Sequence, residues 1–321
     1  MLVALAGAGY YVATTVQQRR ATAAAPPVEQ AAPASASRID AARLLADVEA
    51  LSAPAMEGRR TGTPGNQRAQ AFILARFREL GVKPAGEGYE QKFSFEHRTK
   101  TAKTAYPDAT NLVALVPGTA RPDDVLLVSA HYDHLGVMNG AVHPGADDNA
   151  SGVAILLQVA AYVAAHPLRQ SVVFVAFDGE EQGLQGAKHF VAHPPIDLKR
   201  IRLMVNLDMV SRSDTASIVA SGAAFDPTLK DLVNRAAAGR QLKVAFGHDR
   251  PPATPGGEAD WTHQSDHGPF HDAGVRTLYY GVEDHADYHK PTDTADRIPR
   301  PFFSEVAELV LQTLIAADAS P

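Results

Sequence analysis

Apolar residues recur at two spacings along this chain, and the spacing sets the predicted element. Over residues 40–51, Ala42, Leu45, Val48, Ala50 and Leu51 fall roughly on one helical face. Residues 66–80 repeat that pattern with Ala69, Phe72, Ile73, Phe77 and Leu80, and Gly81 follows in the place of a C-terminal glycine cap. The stretch between these helices, Met56-Glu57-Gly58-Arg59-Arg60-Thr61-Gly62-Thr63-Pro64-Gly65, is rich in turn residues. Residues 91–95 alternate as a strand, and 111–116 form another that ends at Pro117-Gly118.

From residue 125 onward, continuous apolar strands alternate with helices. Strands are expected at 125–130, 171–177, 201–207, 217–220, 241–246 and 275–281. Helices are expected at 153–165, 184–191, 226–239, 265–273 and 300–317. Strands that are apolar on both faces need cover on both faces. The pattern therefore predicts an α/β fold: a three-layer αβα sandwich with a mixed, largely parallel central sheet.

The first residues depart from this pattern. Residues 2–16 are apolar and uncharged. That is short of the roughly 20 residues of a membrane span, but suits a signal-peptide core. No Lys or Arg precedes the run, and Arg19-Arg20 follow it. The expectation is export, to the periplasm or the extracellular space. Residues 1–20 are then either cleaved as a signal peptide or kept as an inner-membrane anchor. Residues 21–38, rich in Ala, Pro, Ser and Gln, bury too little surface to fold and read as a disordered linker. Residues 39–321 remain as one folded domain.

Composition removes several functions. Net charge is −6 with no basic block, which argues against a nucleic-acid partner. There are no cysteines, so disulfides, thiolate zinc sites and a cysteine nucleophile are excluded. No Gly-x-Ser-x-Gly elbow of a serine hydrolase occurs. Thirteen histidines are ample for an imidazole and carboxylate metal site. Oligomeric state is not legible.

Polar residues then stand out by position. His131 follows the strand at 125–130, Glu180 and Glu181 follow the next, and Asp208 ends a third. His289 lies a few residues past a fourth. In an open α/β sheet, ligands bind at the carboxyl ends of the strands. Between glycines at a helix start sits Gly145-Ala146-Asp147-Asp148-Asn149-Ala150-Ser151-Gly152. Capping and the helix dipole account for one acid there. The second suggests a metal site with Asp147 as its hub, offering two oxygens to two cations about 3.5–4 Å apart. Asp148 would support that loop. Asp133, two residues after His131, can accept from the far ring nitrogen and fix the ligating tautomer.

Together these stretches resemble the family-28 metallopeptidases, the co-catalytic dizinc aminopeptidases related to bacterial secreted leucine aminopeptidases. The resemblance runs from about Ile39 onward. It rests on Glu57-Gly58-Arg59, His131-Tyr132-Asp133-His134-Leu135-Gly136, the Gly145 to Gly152 loop, Phe177-Asp178-Gly179-Glu180-Glu181, Asn206-Leu207-Asp208-Met209, Ser265-Asp266-His267 and Tyr288-His289. It implies two Zn²⁺ per chain, one on His131 and Asp208, the other on Glu181 and His289, with Asp147 bridging. It implies Glu180 as general base, Asp133 as the carboxylate behind His131, and a cis Asp147–Asp148 peptide. It implies release of N-terminal residues from peptides with a free N-terminus. Relatives often place an oxyanion-binding tyrosine near the Ser265-Asp266-His267 stretch. This chain has none there, leaving Thr262 and His263 as candidates. The alternative is a glutaminyl-peptide cyclase of the same fold with one zinc; the intact aspartate loop argues against it.

Overall fold

The computed structural model describes residues 37–250 and 259–320. The predicted leader and all but the end of the linker lie outside the described residues. Ser37 and Arg38, assigned to the linker, are held by the fold: the Glu308 carboxylate accepts from Ser37 Oγ, Arg38 N and Ile39 N.

Asp40 caps helix α1 (Ala41–Leu51) by accepting the amides of Ala42 and Arg43, and Thr63 caps α2 (Pro64–Glu79) through Asn66 N. Strand β1 (Lys83–Pro84) follows, then the antiparallel pair β2 (Glu90–Arg98) and β3 (Lys103–Val116). β4 (Arg121–His131) leads to a small hairpin of β5 (Gly136–Met138) and β6 (Ala141–His143), which the sequence pattern does not foresee. Next come α3 (Gly152–Ala165), β7 (Gln170–Phe177), α4 (Gln185–Ala192), β8 (Ile201–Leu207) and β9 (Ser217–Ser221). The chain closes with α5 (Thr228–Ala237), β10 (Lys243–Phe246), α6 (His267–Asp272), β11 (Thr277–Gly281) and α7 (Arg300–Asp318).

Among the described residues, nine strands form one mixed sheet in the order β1-β3-β7-β4-β8-β11-β9-β10, with β2 added on β3. β4 pairs in parallel with β7 on one side and β8 on the other, and β8 pairs in parallel with β11. Strand order therefore reverses at β4. The carboxyl ends of these four strands share one edge, the place where such sheets hold ligands.

Alternation along β4 explains the layers. Leu126, Val128 and Ala130 join one core with residues of α1, α2, α3, α5 and α7, whereas Val125 and Leu127 join another with Phe190 of α4 and Phe270 of α6. Each fully buried Val or Leu contributes about 1.5–3 kcal/mol. The sandwich expected from the sequence is thus the fold observed.

Candidate metal centre

His131 ends β4 in register with Phe177 of β7, so its ring stands at the shared edge. Its Nε2 lies 3.1 Å from Asp208 Oδ1 and 3.3 Å from Asp148 Oδ1. Its Nδ1 faces the Asp133 main-chain carbonyl at 3.1 Å, with the Asp133 carboxylate farther off at 3.7 Å. That carboxylate mainly serves the acid pair, accepting from Glu180 N at 3.1 Å and Glu181 N at 3.4 Å. Asp133 thus lies beside His131, but the ring nitrogen meets its main-chain carbonyl rather than its carboxylate, and the carboxylate fixes the turn carrying Glu180.

The aspartate loop corrects the sequence reading. Asp148, not Asp147, stands among the histidines. Its Oδ1 faces His131, while its Oδ2 is 3.0 Å from His289 Nε2 and 3.7 Å from His134 Nδ1. Asp147 is turned away: Oδ1 accepts from Ser211 N at 2.7 Å and Ser211 Oγ at 2.6 Å, and Oδ2 is 3.0 Å from His285 Nε2. The reason is local. The amides of Asp147 and Asp148 both point at the Asp293 carboxylate, which sends the two side chains to different sides of the loop. The cis peptide is Asp148–Asn149, one bond later than the resemblance implies.

Glu181 Oε1 lies 2.7 Å from His134 Nδ1, and its Oε2 lies 3.6 Å from His289 Nε2. His289 has φ 56°, and its ring stacks on Tyr288. The potential donors of His131, Asp148 and Asp208 lie within 4.8 Å of one another, as do those of His134, Asp148 and Glu181. Asp148 belongs to both groups. Mixed imidazole and carboxylate sets of this kind suit zinc.

Charge favours cations here. Burial opposes ionisation of Asp148, yet His134 and hydrogen bonds from His131 and His289 hold its carboxyl well below the usual range. Burial lowers and Asp208 and Glu180 raise the His131 ring, which ends well above its ordinary value. Burial, with repulsion from neighbouring carboxylates, pushes Glu180 and Glu181 well up. Asp148, Asp208, Glu180 and Glu181 thus crowd one sheet edge, and a divalent cation relieves both their desolvation and their repulsion. Burial lowers His134 to about 4; its Nδ1 meets Glu181 Oε1, and its buried Nε2 has no hydrogen-bond partner among the described residues.

Several contributors escape sequence reasoning. His134 is one residue past Asp133, and Asp293 lies in the same run as His289, so proximity to a motif was the available signal. Arg59 stands inside the Glu57-Gly58-Arg59 stretch that carries the resemblance, yet its turn-rich surroundings give no sign that its guanidinium binds main-chain carbonyls. The candidate oxyanion donors are engaged elsewhere. Thr262 Oγ1 donates to Asp260 at 2.6 Å, and His263 pairs with Asp272 at 2.9 Å. Closer in, the Tyr279 hydroxyl donates to the Asp208 main-chain oxygen at 3.2 Å. Asp266 lies fully buried with neither carboxylate oxygen hydrogen-bonded.

Known proteins share this architecture. Aminopeptidase YwaD of Bacillus subtilis is 31% identical over 210 residues, covering 63% of this chain and 43% of the relative, so the match spans less than half of that protein. The crystal structure of BSAP, a zinc aminopeptidase from Bacillus subtilis, superposes with a TM-score of 0.69 at 18% identity, covering 87% of this chain and 95% of that one. Porphyromonas gingivalis glutaminyl cyclase superposes equally well, with a TM-score of 0.69 at 22% identity over 87% of this chain and 99% of that one. At these identities the structural likenesses speak for the fold. The family model for peptidase family M28 matches residues 111–314, which include His131, Asp148, Glu180, Glu181, Asp208 and His289. On that match the chain belongs to peptidase family M28.

Proposed function

We propose that this peptidase is a zinc-dependent aminopeptidase with two zinc ions per chain. The observation that carries the reading is Asp148, whose two oxygens face His131 and His289 separately. His131 and Asp208 would hold one ion, Glu181 and His289 the other, and Asp148 would bridge them; His134 would orient Glu181. When bound, such a pair of ions supplies Lewis acidity and makes a water acidic enough to lose a proton near neutral pH.

The chain's own groups do the remaining work. Glu180, held by Asp133 through its amide, takes the proton from the attacking water on its carboxylate and later delivers it to the leaving amine nitrogen. The carboxylates around the site favour an ammonium group, which supports cleavage next to a free N-terminus. The apolar run at residues 2–16 supports export, testable by fractionating cells that express the full chain.

The decisive test is hydrolysis of short peptides with free or acetylated N-termini by metal-stripped and zinc-restored protein. Zinc-dependent release of N-terminal residues from the free peptides alone supports the reading. Cleavage of blocked peptides would replace it with a carboxypeptidase or endopeptidase. Ring closure of N-terminal glutamine without hydrolysis would make the protein a cyclase.

A further inference from the structure

The loop that carries Asp148 is gripped from two sides by opposite charges. Arg59 is fully buried, and its guanidinium donates to four main-chain carbonyls: Tyr132 at 2.9 Å, Leu51 at 2.7 Å, Pro144 at 2.6 Å and Gly145 at 2.9 Å. One fork thereby joins the His131 strand end to the start of the aspartate loop. Asp293 is also fully buried. Its main-chain oxygen accepts from Ala146 N at 3.2 Å, and its carboxylate accepts from Asp147 N at 3.0 Å and Asp148 N at 3.1 Å. Asp293 follows His289 by four residues, so it joins the same loop to the other half of the site.

We propose that Arg59 and Asp293 are paired positioning residues that set the Asp148 carboxylate between the two metal sites, Arg59 fixing it relative to His131 and Asp293 relative to His289. The proposal rests on the dizinc reading for its consequence, though not for its geometry. Carbonyls on one side and amides on the other leave the loop little freedom to rotate Asp148 away. Arg59 spends its donors on carbonyls rather than on a carboxylate, so its charge stays available to the carboxylate cluster, and Asp148, Asp293, Asp133 and Glu181 all feel it. The turn that delivers Arg59 is built closely: a Cβ on Gly58 would sit 2.4 Å from the His143 carbonyl, and Arg59 itself has φ 51°.

The test compares wild type with Arg59→Lys, Arg59→Met and Asp293→Asn, each first checked for wild-type circular dichroism. Zinc dissociation constants come from chelator competition, and amide hydrogen exchange at Asp147 and Asp148 is followed in the metal-free proteins. Zinc affinity is expected to fall about 10–100-fold in Arg59→Met and Asp293→Asn, and less in Arg59→Lys, which keeps the charge but loses the fork. Exchange at the two amides is expected to quicken on the order of tenfold in Asp293→Asn. Folded variants with wild-type zinc affinity and wild-type exchange would overturn the proposal. If Arg59→Met does not fold, Arg59→Lys and Asp293→Asn decide. A wild type that binds fewer than two zinc ions would sink the dizinc reading, while the exchange measurement would still judge the clamp.

Discussion

Asp147 and Asp148 are neighbours in sequence, yet their carboxylates serve separate networks: one takes Ser211 and His285, the other stands between His131 and His289. Alanine substitutions should separate the two. Asp148→Ala should lower zinc content to one ion or none. Asp147→Ala should keep the ligand set but cost about 1–3 kcal/mol, because Ser211 N–H and Oγ–H lose their buried acceptor. Metal analysis with denaturant melts of both variants checks this. Two tightly held zincs in Asp148→Ala would end the bridging role.

Glu180 makes no direct contribution to either group of candidate donors. Glu180→Gln should therefore keep its metal while turnover falls by about 10²–10⁴-fold. Steady-state kinetics on protein of measured zinc content reads this directly. Loss of metal in parallel with activity would instead make Glu180 a ligand.

The buried neutral His134 should make the metal-free protein sensitive to acid. Its pKa is lowered by burial to about 4 in the folded chain. The unfolded chain binds a proton near the ordinary 6.5, so between these values the unfolded state holds more protons. The contribution is complete above pH 6.5 and disappears as pH falls through 4. In urea titrations, the stability difference between wild type and His134→Asn should be constant above pH 6.5 and shift against wild type below it. A difference independent of pH would refute the assignment.

Gly145 and Gly81 both have positive φ, 59° and 68°. A Cβ at Gly81 meets nothing within 4 Å, whereas one at Gly145 would lie 2.1 Å from the Asp148 carbonyl and 2.5 Å from the His134 ring. Gly81→Ala should cost only the left-handed backbone penalty, about 1–2 kcal/mol. Gly145→Ala should cost more and weaken zinc binding, since the loop must move. Equal losses in paired chemical melts would show that the loop yields freely.

The strand-end residues were legible because period and position agree: an apolar strand that stops at His131 or Asp208 leaves that side chain on the sheet edge whatever surrounds it. The choice between Asp147 and Asp148 was not legible. Their loop has no regular period, and its side-chain directions depend on Asp293, nearly 150 residues away. The antiparallel β2–β3 ribbon was underestimated for a related reason. Its outer part, such as Glu90, Lys92 and Glu96, faces solvent and carries little hydrophobic signal.

The parallel pairing of β4 with β7 and β8, and of β8 with β11, also bears on how the protein matures. Loops 131–134, 145–149 and 178–181, the end of β8 and the turn at 285–293 meet only after long stretches of chain have closed around them. Closing such distant segments is slow, because their entropy is lost before their contacts form. The ligand set is therefore assembled by long-range pairing, and no stretch of the chain that stops short of His289 carries all of it.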